Sequence, residues 1–147
     1  MPKPLTESEQ QVFLAERHVA VLSVARGAGR APLSTPIWYG YEPGGDVTFF
    51  TGAEASKLKA IQRAGVVSLT VQREERPYKF VTIAAKLEKI DSPPTADQIF
   101  AIAKRYLPED AARWMASADA ATRGYELVVL TFRPERWQSE DYTGDMA

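Results

Sequence analysis

The stretch from Val19 to Tyr41 decides the fold. It opens on Val19-Ala20-Val21-Leu22-Ser23-Val24-Ala25, small and β-branched residues that favour a strand. Arg26-Gly27-Ala28-Gly29-Arg30 follows, and its paired glycines suit a tight hairpin turn. Leu33 to Tyr41 then reads as the returning strand. Pro36 lies inside it and donates no ladder hydrogen bond, so that strand is expected at an edge or bulged.

Outward from this hairpin the pattern repeats. Pro43-Gly44-Gly45-Asp46 is another turn, and Val47 to Thr51 a third strand ended by Gly52. Ala55 to Ala64 reads as a short helix, apolar at Ala55, Leu58 and Ile61 and basic at Lys57, Lys59 and Arg63. Gly65 ends it. Val67, Leu69 and Val71 alternate with polar residues, as do Val81, Ile83, Ala85 and Leu87 within Phe80 to Ile90, so both runs predict half-buried strands. The charged stretch Arg73 to Pro77 joins them.

Helices flank these strands. Thr6 and Glu9 form a capping box ahead of a helix ending near Arg17, with Leu5, Val12 and Phe13 on its apolar side. After Pro93-Pro94, Thr95 and Gln98 form a second box. It opens a helical insert at about residues 95–117 that carries Ile99, Phe100, Ala103, Tyr106, Trp114 and Met115. Ala118 to Thr122 reads as a loop. Tyr125 to Phe132 is a last strand, apolar on both faces, which predicts burial between a core and another layer or subunit. Arg133 to Ala147 reads as a polar tail holding Trp137 and Tyr142. Antiparallel hairpins with covering helices predict a mainly β fold, a closed or split barrel of six strands in one domain spanning residues 1–147.

Composition bounds the chemistry. The chain has 147 residues, a net charge of -1 and no cysteine, which excludes disulfides, thiolate metal sites and a cysteine nucleophile. A near-neutral balance gives no global pull toward nucleic acid or anionic membranes. No apolar run approaches the ~20 residues of a membrane helix, and Met1 to Gln11 lacks a signal core, so a cytoplasmic location is expected. His18 is the lone histidine, too little for a metal site or triad, and reads as structural or exposed. Glu74-Glu75 and Glu140-Asp141 look solvated.

Four segments together carry a family resemblance. They are the opening helix with Val19 to Val24; Ala31-Pro32-Leu33-Ser34-Thr35-Pro36-Ile37-Trp38-Tyr39; Phe49-Phe50-Thr51-Gly52, Ser56-Lys57 and Val66 to Val71; and Pro77-Tyr78 ahead of Val81-Thr82-Ile83. In order and spacing the chain resembles the pyridoxamine 5'-phosphate oxidase-like superfamily of flavin and deazaflavin oxidoreductases. The resemblance implies a six-stranded antiparallel split β-barrel with covering helices, and a homodimer with two composite cofactor sites at its interface. Family oxidases that use FMN carry an arginine and a lysine on the second strand. Ser34-Thr35-Pro36-Ile37-Trp38-Tyr39 has neither, and resembles the branch that uses the deazaflavin coenzyme F-420. FMN stays as the alternative cofactor.

Candidate site residues follow from the needs of such a cofactor, with its anionic tail and flat ring. The helix beginning after Gly52 offers free amides to a phosphate, with Thr51, Ser56 and Lys57 as side-chain donors. By resemblance Ser56 and Lys57 match phosphate-binding positions; read alone, they belong to a solvated helix face. Ser34 is a further cofactor-binding candidate, and Pro36, Ile37 and Trp38 are placed at the ring, though Trp38 reads equally as a core or interface aromatic. Pro77 and Tyr78 match a position that approaches the ring, or form a plain loop corner, and Tyr78 is the candidate local proton donor. The implied reaction is hydride transfer from the reduced cofactor to an unsaturated or carbonyl-containing small molecule. The alternatives are an FMN-dependent oxidoreductase and a non-catalytic cofactor- or ligand-binding protein.

Overall fold

The computed structural model describes residues 1–145, so the final Met146 and Ala147 of the expected tail lie outside it. Both capping boxes form. Thr6 caps α1 (Glu7–Ala15) and Thr95 caps α3 (Ala96–Ala103), each hydroxyl accepting from the amide three residues on. On α1, Phe13 and Leu14 are buried while Val12 faces solvent, so Leu14 takes the place expected for Val12.

Six antiparallel strands are described: β1 (Ala20–Val24), β2 (Leu33–Ile37), β3 (Val47–Gly52), β4 (Val66–Arg73), β5 (Lys79–Asp91) and β6 (Leu127–Asp141). They form one sheet in the order β2-β1-β4-β5-β6-β3. This confirms the split barrel. β2 and β3 are therefore the two edges, and Pro36 occupies an edge strand as its missing donor requires. The sheet curls until the edges meet at one point. There Gly40 and Thr48 exchange backbone hydrogen bonds of 2.8 and 2.9 Å. The interior is filled by the inward alternation of the strands, with Leu22, Phe49, Leu69, Ile83 and Phe132 fully buried and the rings of Phe49 and Phe132 stacked 5.6 Å apart. Tyr39 joins this core, its hydroxyl donating to Leu14 O over 2.6 Å.

Three expectations change. β2 stops at Ile37 instead of Tyr41, because Tyr39 N donates to the Tyr106 hydroxyl and leaves the ladder. Residues 118–122 form a helix, α5 (Ala118–Thr122), capped by the Ser117 hydroxyl, beyond α4 (Glu109–Met115). The polar tail is strand as far as Asp141. Trp137 pairs with Ile83 and packs on the core, and Pro134 is accommodated beside a register shift.

The doubly apolar strand also has its explanation. Val128, Leu130 and Phe132 point into the barrel, and Val129 is buried on the other side. The insert covers that side: α3 packs against β3, and Ile99, Ile102, Ala103, Ala112 and Ala120 are buried outside the main core. The second layer over residues 125–132 is thus the chain's own insert, so this strand requires no partner copy.

Candidate functional site

The barrel is split where β2 and β3 diverge. Extending the Gly40–Thr48 register by two residues would set Trp38 opposite Phe50. Instead the strands separate, leaving a hollow of about 200 Å³ lined by Val19, Pro36, Ile37, Trp38, Phe50 and Lys57. One lip comes from the β1–β2 side. The other comes from β3 and from α2 (Ser56–Ala64).

Each lining group has a local cause. Thr48 spends its N–H and C=O on Gly40, so strand alternation turns those of Phe50 toward the same side. No strand receives them there among the described residues, because β3 otherwise pairs only with β6. They are a donor and an acceptor available to a planar ligand edge. Trp38 is fixed from behind: its ring lies parallel to Tyr106, centroids 5.0 Å apart and planes within 3°.

Lys57 supplies the charge. It is half-buried beside apolar side chains and makes no ion pair among the described residues. Burial pushes its amine below the ordinary lysine value. It lies in the first turn of α2, whose N-cap Ala55 gives no side-chain cap and whose first turn holds no acid. Uncapped amides, the positive dipole end and an uncompensated ammonium together favour an anion. Phosphate at this end and a flat ring against Pro36, Ile37 and Trp38 suit the residues present.

The structure therefore gathers Pro36, Ile37, Trp38 and Lys57 into one hollow. Ser56 is exposed as the first residue of α2, outside its lining. Ser34 lies on the outer sheet face, its hydroxyl 2.9 Å from that of Ser23. Thr51 is a correction: it is buried on the inward alternation with Val47 and Phe49, the side opposite Phe50. Pro77 and Tyr78 lie on the β4–β5 connection. Tyr78 borders a separate hollow of about 340 Å³ with Arg73, Lys79 and Tyr142. A groove of about 520 Å³ over Val21, Gln72 and Arg73 lies between the two hollows. His18 is structural, its Nε2 donating to Phe13 O over 2.9 Å. Val19 and Phe50 were missed. Phe50 was findable, because it alternates against Val47 and Phe49; Val19 precedes the ladder and carries no such signal.

Comparison with known proteins places this geometry in context. The family described as pyridoxamine 5'-phosphate oxidase matches residues 6–137. No curated protein matches the chain. Among solved structures, one called an F420 reductase is 21% identical with a TM-score of 0.69, over 86% of this chain and 94% of that one. A conserved hypothetical protein from Mycobacterium tuberculosis is 18% identical with a TM-score of 0.73, over 97% and 89%. A protein from Mycobacterium smegmatis described as binding FAD and haem is 15% identical with a TM-score of 0.69, over 95% and 72%. At these identities the likeness is one of fold.

Proposed function

The chain belongs to the pyridoxamine 5'-phosphate oxidase family, and on that premise we propose that it is a deazaflavin (F-420)-dependent reductase acting on a small organic molecule. The observation that carries this reading is Lys57, a half-buried lysine without a counter-ion among the described residues, in an otherwise apolar hollow beside Trp38. Such a cation is costly unless an anion completes it. β2 supplies no cation of its own, which favours the deazaflavin branch over FMN. Likeness of fold to a structure called an F420 reductase supports the same choice.

Lys57 and the first amides of α2 would hold the anionic tail, and Pro36, Ile37, Trp38 and the Phe50 backbone would receive the ring. When bound, the reduced coenzyme supplies a hydride to an unsaturated or carbonyl carbon of the substrate. The apolar lining holds water away from the reacting faces. No carboxyl, imidazole or hydroxyl side chain lines the hollow, and the closing proton comes from solvent once the reacting faces separate.

A second copy of the chain completes the site in this reading. About 200 Å³ is less than the roughly 300 Å³ at which small-molecule pockets begin. Beside the hollow, the outer face of β2, β1, β4 and β5 carries the exposed Val21. Pro36, Val21, Thr70, Thr82 and Gln138 run across it in register. The Thr70 and Thr82 hydroxyls bond each other at 2.9 Å, as those of Ser23 and Ser34 do, so this face can lose water without stranding those groups.

Titration of the purified protein with F-420 and with FMN, followed by absorbance and fluorescence, tests the reading. Tighter F-420 binding is expected, with oxidation of its reduced form by members of an enone and quinone panel. Tighter FMN binding would reassign the cofactor. F-420 binding without turnover on any acceptor would make the protein a cofactor carrier.

A further inference from the structure

The insert touches the wall of the hollow through Tyr106, which follows α3 and stacks on the lining residue Trp38, 5.0 Å between centroids. Its hydroxyl donates to His18 O over 2.7 Å and accepts from Tyr39 N over 3.2 Å. His18 precedes Val19 and Tyr39 follows Trp38, so the two bonds grip the chain beside two lining residues of the same lip. Arg105 locks the insert down. Its guanidinium donates to Ala15 O and Glu16 O at 3.2 and 3.0 Å and lies 5.0 Å from the Tyr39 ring centre. The opposite lip is held by the same insert, because α3 packs on β3. The insert therefore straddles the split where strand pairing is absent.

We propose that Tyr106 is a positioning residue of this site: through its stack on Trp38 and its hydroxyl bonds it sets the attitude of the ring-binding wall and the width of the split. The proposal rests on the hollow being the cofactor site. Nothing in the barrel's ladders fixes Trp38, which lies one residue beyond the last paired position, Ile37 opposite Ala20. Without Tyr106 the indole is free to rotate into the space the ring needs.

The test uses the full chain labelled with 5-fluorotryptophan, the Trp38 resonance being assigned by its loss in Trp38→Phe. Tyr106→Leu removes both stack and hydroxyl. It is expected to shift the Trp38 line and weaken F-420 or FMN binding about tenfold. Tyr106→Phe keeps the ring and its volume. It is expected to hold the Trp38 line near its original shift while weakening binding about threefold. A structural role alone would lower thermal stability in both variants and leave affinity per folded molecule unchanged, and that result overturns the proposal. If Tyr106→Leu does not fold, wild-type affinity in Tyr106→Phe overturns it. If the unmutated protein binds neither flavin, the reading of the site fails, and an unmoved Trp38 line in Tyr106→Leu overturns the positioning role separately.

Discussion

Trp38 and Lys57 line the same hollow although they follow the two opposite edge strands of the sheet. Trp38 directly follows β2, and Lys57 lies in the first turn of the helix after β3. Only the curl of the sheet, pinned by the Gly40–Thr48 bridge, brings the aromatic wall and the Lys57 ammonium together.

Lys57→Ala is expected to lower cofactor affinity about tenfold, the loss of one charge-assisted hydrogen bond. The residual binding becomes less dependent on salt. Thermal stability holds, because the removed amine made no ion pair among the described residues. Fluorescence titration at two ionic strengths checks this, and unchanged affinity removes Lys57 from the site.

The pH dependence has a definite sign. Burial lowers the Lys57 amine, so it deprotonates before ordinary lysines as pH rises. Anion binding needs the protonated form. Cofactor affinity is therefore expected to fall on the alkaline side at a pH below the lysine reference of about 10.4. Lys57→Ala abolishes that limb. The stability effect runs the other way: the unfolded chain binds the proton more tightly, so this group's contribution to stability rises with pH through the same window. Affinity profiles of both proteins decide the point.

Val21 is 44% exposed on the outer face of the sheet, opposite Pro36 on one side and Thr70 on the other. Val21→Glu places a charge there without touching the core. It is expected to convert a dimer to monomer in sedimentation velocity and to weaken cofactor binding at least tenfold. A monomeric wild-type protein at micromolar concentration sinks the composite site.

Ser139 ties the N-terminus to β6. Its buried hydroxyl accepts from Leu5 N at 3.0 Å and from Gln10 Nε2 at 2.9 Å. Ser139→Ala leaves the Leu5 amide without that partner and is expected to cost about 1–3 kcal/mol in urea unfolding. The site is remote, so cofactor affinity per folded molecule stays unchanged.

Much of this was legible residue by residue. Thr6 with Glu9 and Thr95 with Gln98 announced helix starts because capping acts over three residues. Pro36 announced an edge because its missing donor is a property of the residue itself. Thr51 was misplaced because consecutive apolar residues, Phe49 and Phe50, blur the alternation that sends Thr51 inward. Residues 133–141 looked like a tail because their polar side chains hide a strand that pairs along β5.

The sequence by itself determined the two capping boxes, the turns and the order of strands along the chain, which follow from interactions within a few positions; Pro36, Ile37, Trp38 and Lys57 became favoured candidates through the family resemblance. The tertiary structure alone decided that the sheet splits between β2 and β3, that Phe50 and Val19 face the split, and that Tyr106 braces Trp38 across it. It also decided that the insert, not a partner copy, covers Val129. Each of these depends on how far the sheet curls before its edges meet. That curl is set by packing between residues distant in sequence, which no local pattern encodes.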